Sequence, residues 1–477
     1  MSNYNDNRNR EVYDRKIFTP FSTILGEKMC QIQYDGRIYT MPIGSKDFPL
    51  EIKKIYRKKK RKNIGQKRLN AIMEEMKMDA YENRLDYRLE TRIFNLKAGD
   101  IIYNLDPTTS TSVWLHEGIA ELAETPDMMF QYDPTLLSQP EPNFKVKPER
   151  LPQILKRHFH LKREEDIILL ALYIVSSMAG NKMPHPILIL SGSKGAGKSF
   201  TAGLIARIVD PHSASLFSLP KNGGDLALRF YNSYLLILDN LTYLKAEYSR
   251  LIAMSVTGGS YPRRMLFENT KEVLLDLRCL LILTGIEIAA KEPDVLDRSI
   301  LIELERIKPG EIKTEASLKE KFETDLPKIL GACFKLLAKA EADSRPVEVP
   351  KTRMADAFQL MIKIGRAMGY EDEYTSKILW DNQRRVNLQV VFDDPIGECI
   401  VALMEQYESY QASVTEFMHE IEKVAKTLHI KQNTLPSRAN AFSRRLNKMQ
   451  SNLEIEYGIF YEIKNTGRYH RITIWKN

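Results

Sequence analysis

The nine residues Ser191–Ser199, reading SGSKGAGKS, constrain this chain more than any other stretch. Gly192, four residues, then Gly197-Lys198-Ser199 is the spacing of a phosphate-binding loop. Glycines let the backbone turn tightly and aim its N–H groups at phosphate oxygens with no side chain in the way. In such a loop Gly192, Ser193, Lys194, Gly195, Ala196, Gly197, Lys198, Ser199 and Phe200 would surround the phosphates. Lys198 would reach the β- and γ-phosphates, and the Ser199 hydroxyl would hold Mg²⁺. The apolar run Pro186–Leu190 reads as a buried strand, and Thr201–Val209 as a helix whose N-terminus faces the anion. Strand, loop and helix in register point to ATP with Mg²⁺. The bland alternative is a glycine-rich turn in an unrelated fold.

A second buried strand, Tyr234–Leu238, ends in Asp239-Asn240. A carboxylate at such a strand end binds Mg²⁺ beside Ser199; the competing reading is a helix-capping Asp-Asn. Leu280–Leu283 is a third strand with the polar Thr284 at its tip, and Ser299–Leu304 a fourth, following Asp297-Arg298. Strands alternating with helices predict an α/β fold, with a parallel sheet and its ligand at the strands' C-terminal ends.

Length and composition bound the rest. The 477 residues suffice for about three domains, and 43% hydrophobic content is ordinary for a globular protein. Cys30, Cys279, Cys333 and Cys399 lie far apart with no CxxC pair, which suggests neither a zinc site nor a disulfide framework and fits a reducing cytosol. The polar N-terminus lacks the apolar core of a signal peptide, and the longest apolar run, Ile167–Ala179, is too short to span a bilayer. A soluble, cytoplasmic protein with no membrane partner is expected.

Along the chain, Gln31–Ile43 alternates about Asp35-Gly36 and predicts a hairpin. Lys53–Arg68, KKIYRKKKRKNIGQKR, is the densest part of the +8 net charge. It reads either as a solvated helix face or as a nucleic-acid contact. Asp100–Asn104 and Ser112–Leu115 read as short strands. Five prolines between Thr125 and Arg150 suggest a linker. The expected division is an N-terminal α+β domain with the basic segment (1–148), an ATPase core (149–325), a helical lid and connector (326–393) and a C-terminal module (394–477). In that module Pro395–Tyr407, Val414–Leu428 and Leu435–Met449 are amphipathic helices, and the end alternates about Asn465-Thr466-Gly467 as a hairpin. Three helices plus a hairpin suggest a winged helix whose third helix, with Arg438, Arg444, Arg445 and Lys448, enters a major groove. Lys464, Arg468 and Arg471 on the wing suit phosphate. Winged helices also bind proteins, so the fold alone does not assign the role.

The order of phosphate loop, LLILDN, LLILTG and DVLDRSI resembles the AAA+ ATPase core. More narrowly it is similar to the helicase-like ATPases of phage, plasmid and integrated mobile elements, often found fused to or beside primases. LPKNGGDLALRFYNSYLLILDNLTYL, LILTGIE, EPDVLDRSILIELERI, TRMADAF and AFSRRLNKM carry the resemblance, which covers the chain from about residue 165 onward. The resemblance implies sensor 1 at Thr284, an arginine finger acting on a neighbouring subunit's nucleotide at Arg298, and a lid arginine, sensor 2, at Arg353. Bland readings are a surface ion pair of Arg298 with Asp297, and a helix-end Arg353 without nucleotide contact. Asn240 stands where most AAA+ proteins have Glu as general base, a departure often found in the mobile-element relatives too; it leaves the base open, with Glu268 one candidate. Arg263–Leu277 alternates about Asn269-Thr270 as a hairpin. In such helicases that hairpin grips DNA in a central channel, which would put Lys271 at its tip and Arg263 and Arg264 at its base; packing on a neighbouring subunit is the other reading.

Taken together these features lead to an ATP-dependent DNA helicase of a mobile element or virus, acting as a ring, expected to be a homo-hexamer, beside a primase or polymerase. The alternative is an ATP-switched origin-binding initiator or helicase loader. A small-molecule kinase shares the loop but needs neither the finger nor the C-terminal module.

Overall fold

The computed structural model describes residues 12–476 except 25, 98, 108, 265–271, 286–291, 308, 309, 311, 312, 350, 351, 466, 468 and 469. Lys271, Glu268, Arg468 and the tip of the hairpin at Asn269-Thr270 therefore lie outside the described residues.

The chain opens with an antiparallel sheet of β1 (Phe18–Ser22), β2 (Lys28–Tyr34) and β3 (Arg37–Pro42). Asp35 and Gly36 join β2 to β3 with φ of 57° and 73°. Two left-handed residues give the turn whose twist matches the strands, so the Asp-Gly pair forms the expected hairpin. Helices α1 (Phe48–Lys60) and α2 (Gln66–Glu82) cover this sheet. Phe48, Ile52, Ile55, Leu69, Ile72 and Met76 face Cys30 and Ile32 in a small core. The same spacing leaves Arg57, Lys58, Lys59 and Lys60 on the outer, exposed side of α1.

A second antiparallel sheet follows: β4 (Ile93–Asn95), β5 (Ile101–Asp106), β6 (Thr111–His116) and β7 (Ile119–Glu124). It shares one hydrophobic core with buried residues drawn from Leu151 to Val386. The Tyr103 ring meets Phe334 edge-on at 5.0 Å. Arg92 is fully buried and donates to the carbonyls of Asn104, Leu137 and Pro211, with its Nε 3.4 Å from the buried Asp210 carboxylate. Asp210 in turn bonds His212 Nε2 at 3.1 Å.

This packing corrects the expected linker. In the proline-rich stretch the Gln139 amide donates to the Arg207 and Ile208 carbonyls, and the Asn143 N–H bonds Pro327 O at 2.8 Å. A Cβ at Gly331 would sit 2.2 Å from Asn143 O, so the strap and the helix beneath it touch backbone to backbone. Prolines hold the strap extended without backbone donors to satisfy, which a buried crossing needs as much as a tether does.

The central region runs α3 (Leu151–Leu155), α4 (Asp166–Ser176), β8 (Ile187–Ser191), α5 (Lys198–Val209), β9 (Leu216–Phe217), α6 (Gly223–Asn232), β10 (Leu235–Leu241), α7 (Ala246–Thr257), β11 (Ser260–Arg264), β12 (Glu272–Asp276), β13 (Leu280–Gly285), α8 (Pro293–Leu296) and β14 (Ser299–Glu303). Its sheet has the order β14-β8-β13-β10-β9 with every pair parallel, as the alternation of strands and helices predicts. α4 is apolar all round and buried, which is how such a helix must be used. β11 and β12 pair antiparallel.

Three helices, α9 (Glu315–Ala342), α10 (Ala355–Met368) and α11 (Asp372–Asp393), pack on this core. α9 runs without interruption through residues 325 and 326, where the sequence suggested a division.

The last module has its own core of Ile400, Phe417, Phe442, Leu446, Ile472 and Ile474. It contains α12 (Pro395–Met404), β15 (Ser409–Ser413), α13 (Val414–Thr427), α14 (Ala439–Tyr457), β16 (Ile459–Asn465) and β17 (His470–Lys476), with sheet order β15-β17-β16. The three helices and the terminal hairpin are as expected; β15 is an addition. No helix among the described residues is long and apolar enough to cross a membrane.

Replacing Arg92 by alanine takes the guanidinium from the buried Asp210 carboxylate, leaving it only His212, and removes a donor from the carbonyls of Asn104, Leu137 and Pro211. The expected loss is about 3–5 kcal/mol, seen as a melting midpoint lower by roughly 10 °C. An unchanged midpoint would mean the second sheet does not depend on this contact.

Candidate functional site

β8 delivers the chain into the glycine-rich loop at the C-terminal edge of the parallel sheet. Gly192 has φ of 154°, and a Cβ there would lie 2.9 Å from Leu304 O and 3.2 Å from the Ala196 side chain, so the loop closes only around glycine. Gly195 and Gly197 have φ of 85° and 76°. Gly197 is the residue before α5 and offers no capping side chain. The first N–H groups of α5 therefore have no intrahelical partner and form an anion-receptive helix end.

Lys198 folds back over the loop, its Nζ donating to Gly192 O at 2.7 Å and Ser193 O at 3.0 Å. Partial burial holds its amine below the ordinary lysine value, against the opposing pull of the Asp239 charge.

Asp239 is the meeting point of three elements. Its Oδ1 accepts from Ser199 Oγ on α5 at 2.8 Å and from Thr284 Oγ1 on β13 at 2.6 Å. Thr284 is buried, and its hydroxyl accepts the Asn240 N–H at 2.9 Å. A hydroxyl and a carboxylate in contact beside a helix N-terminus form an all-oxygen donor set suited to a hard divalent cation. Asp239 and Asn240 also line a cleft of about 360 Å³ with Leu216, Phe217, Leu219 and Tyr243. A more spacious cleft, about 550 Å³, lies elsewhere, against the first sheet. Size does not locate this site; the convergence of loop, hydroxyls and carboxylate does.

Asn240 has φ of 56°, where β10 bulges between Leu238 and Leu241 in its pairing with β13. Asparagine tolerates this left-handed conformation better than other residues with a side chain, a constraint its sequence context does not reveal.

Arg298 and Arg353 stand together, away from the loop. Arg298 precedes β14, and its carbonyl accepts the Ile187 N–H at 2.8 Å at the start of β8. Ser191, where the loop begins, pairs instead with Glu303 at the other end of β14, roughly 13 Å away at the rise of a strand. Arg298 bonds the Asp294 carboxylate, not Asp297, and its Nε is buried without a partner. Arg353 bonds the same Asp294 carboxylate and lies 3.4 Å from Asp297. Arg353 is thus not over the loop of its own protomer, as a lid arginine would be; Asp294 in α8 and Asp297 just after it draw it to the opposite end of the sheet. Asp294, missed in the sequence, organises both arginines.

The remaining basic candidates divide. Arg263 and Arg264 lie in β11. Arg445 is committed internally, to Asp394 at 2.7 Å and Thr434 O at 2.8 Å, which ties α14 to the start of α12. Lys448 bonds Glu292, just before α8, at 2.7 Å. Arg444 is exposed on α14, and Lys464 pairs with its strand neighbour Glu462 at 2.8 Å.

Residues 155–381 match the family described as Actinomycete integrative conjugative element replication protein, and residues 396–477 match the C-terminal domain of the same replication protein, RepA. No curated protein matches the chain. Among solved structures, the apo C-terminal region (305–718) of NrS-1 aligns over 96% of each chain at 11% identity and a TM-score of 0.39 in one form, and at 13% identity and the same TM-score in another. A JCV helicase with a bound thiazolopyridine acetamide aligns over 52% of this chain and 64% of its own, at 11% identity and a TM-score of 0.25. Through both matched stretches, the chain is similar to the replication proteins of actinomycete integrative conjugative elements.

Proposed function

We propose that the chain is an ATP-driven DNA motor of a mobile element's replication machinery, working as a ring of identical subunits. The observation that carries this is the contact of Ser199 and Thr284 with one Asp239 oxygen beside the Gly192–Ser199 loop, on a parallel sheet of order β14-β8-β13-β10-β9. ATP binds with its phosphates on the loop and the N-terminus of α5. Lys198 exchanges its two loop carbonyls for phosphate oxygens, a switch favoured because a charged amine gains more from an anion than from a neutral acceptor. Ser199 and Asp239 would hold a Mg²⁺ ion beside the phosphates, and Thr284 would orient the attacking water. No carboxylate among the described residues is assigned as its base.

The separation of Arg298 from the loop supports a finger acting in trans, because only a neighbour's nucleotide can lie beside that end of the sheet. α12–α14 with β15–β17 then form the proposed winged helix, with Arg444 exposed on its third helix and in no ion pair among the described residues. The match to a conjugative-element replication protein supports the replication context, with a primase or polymerase alongside.

One observation favours the rival reading, an ATP-switched initiator or loader. Asn240 cannot take a proton from water, and its left-handed backbone disfavours the glutamate that could. Asn240→Glu should therefore lower the melting midpoint, at a cost of about 1–2 kcal/mol, without raising ATP turnover. A glutamate variant with faster turnover would show that the backbone adapts and that only the base is missing.

The decisive experiment is strand displacement on a forked duplex with ATP, comparing wild type with Lys198→Ala and Arg298→Ala. Wild type alone should displace. Arg298→Ala should retain nucleotide binding while hydrolysis falls roughly 1000-fold, within the range for arginine fingers. Mixing the two inactive variants should recover part of the ATPase, because some mixed interfaces join an intact loop to an intact finger. Intact ATP binding and assembly without displacement would leave the initiator or loader.

A further inference from the structure

The 550 Å³ cleft lies between the first sheet with α1 and the crossing that follows the second sheet. Tyr34 and Tyr39 line it from the hairpin, Tyr132 faces them from beyond the second sheet, and Pro107 and Pro134 close its far wall. The Tyr39 and Tyr132 rings are 6.0 Å apart and tilted by 58°, and Tyr132 remains 44% exposed. Tyr39 is fixed in place by its hydroxyl, which donates to Glu51 at 2.5 Å.

The charges around the cleft are arranged in two tiers. Inside, the carboxylates are matched: Glu51 accepts from Lys54 at 2.9 Å, and Asp35 from Lys58 at 3.3 Å. Asp47 is the remaining carboxylate, at the start of α1. Beyond the rim, α1 and the turn after it present Lys53, Arg57, Lys60, Arg61 and Lys62, all exposed and, among the described residues, in no ion pair. Arg68 lies 5.5 Å over the Tyr56 ring on the same helix pair. Free cations next to an aromatic slot are the two halves of a single-strand site, where the backbone follows the charge and the bases stack on rings.

We propose that this cleft and the outer face of α1 form a binding site for single-stranded DNA, separate from the nucleotide site and from the C-terminal module. Unpaired bases enter the cleft and stack on Tyr34 and on the exposed face of Tyr132, which Tyr39 backs, while Lys53, Arg57, Lys60, Arg61 and Lys62 hold the phosphates. The cleft selects single strands because a duplex keeps its base faces stacked on one another and offers none to the tyrosines. The carboxylates inside accept from base N–H groups and do not repel phosphates, which stay on the helix. The inference rests on the reading of the chain as a DNA-directed protein and adds where its N-terminal part meets the strand.

The test is fluorescence anisotropy of the full chain, without ATP, on a labelled oligothymidylate of about 15 nucleotides, over a series of salt concentrations. Tyr34→Ala with Tyr132→Ala should weaken binding at least tenfold, and phenylalanine at both positions should restore it, since a ring without its hydroxyl still stacks. Lys60→Ala, Arg61→Ala and Lys62→Ala together should reduce the slope of log affinity against log salt by about 2. Nucleotide binding is measured on each variant. Its retention confines a loss to the cleft, whereas a wild type that binds oligothymidylate but no ATP defeats the motor reading and leaves the cleft standing. Wild-type affinity in the double alanine variant, or an equal loss on a blunt duplex, would overturn the proposal.

Discussion

One carboxylate oxygen holds the central site together. Asp239 Oδ1 sits at the tip of β10 and takes hydroxyl protons from α5 and from β13, so three consecutive parts of the sheet-and-helix layer register on a single atom. Neither hydroxyl is obliged to point there by its own secondary structure. Both do because a carboxylate at a strand end, partly withdrawn from water, needs donors, and charge-assisted bonds are the strong ones. The buried Thr284 in turn receives the Asn240 N–H, which pins the bulge that lifts the chain out of the strand. The loop, the strand tip and the bulge are therefore one unit, and displacing Asp239 disturbs all three.

The opposite end of the same sheet is built on the reverse principle. Two arginines share Asp294, and Asp297 stands beside them, its carboxyl raised by burial and lowered by Arg353 and Arg298. Glu292, two residues ahead of Asp294, reaches Lys448 on α14. Gln383 on α11 donates to Leu296 O at the end of α8, and the Asn382 side chain bonds both backbone groups of Leu301 in β14. Arg384, next along α11, pairs with Glu456 of α14 at 2.8 Å. The four-residue α8 is thus held by the C-terminal module on one side and by α11 on the other. In a ring of the proposed kind, that is the route by which DNA on α14 would be felt at Arg298. In that arrangement a phosphate would compete with Glu292 for the Lys448 charge.

Much of this was legible because the parallel sheet is buried on both faces. Such strands read as short apolar runs with polar tips, and β8, β10, β13 and β14 all fall on such runs. The loop was legible from its glycines, and the first hairpin from Asp35-Gly36. What escaped has physical reasons. β15, SYQAS, is polar and half exposed, and becomes a strand only because β17 lies beside it. Arg92 carries a charge that normally stays in water, and its partner Asp210 is 118 residues away. The proline-rich strap has the composition of a linker because both uses want extended backbone with few donors. Asp294 sits 59 residues from Arg353, and pairing across such distances leaves no mark in local pattern.

The N-terminal half follows from that buried arginine. Because Arg92, Tyr103 and Gln139 anchor the second sheet against α5 and α9, that sheet cannot move independently of the loop-bearing helix. The first sheet with α1 and α2 keeps a core of its own, yet its edge meets the second sheet's exit strap, where the Tyr132 N–H bonds Thr40 O at 2.8 Å. The tyrosine cleft lies across this seam, with one wall on each body. A strand held there would be gripped partly by elements fixed to α5, the helix whose N-terminus closes the phosphate loop. Under the proposal above, the basic run on α1 is more than a solvated helix face. It borders a slot that the fold connects, through one continuous core from β5 to α5, to the site where nucleotide is proposed to bind.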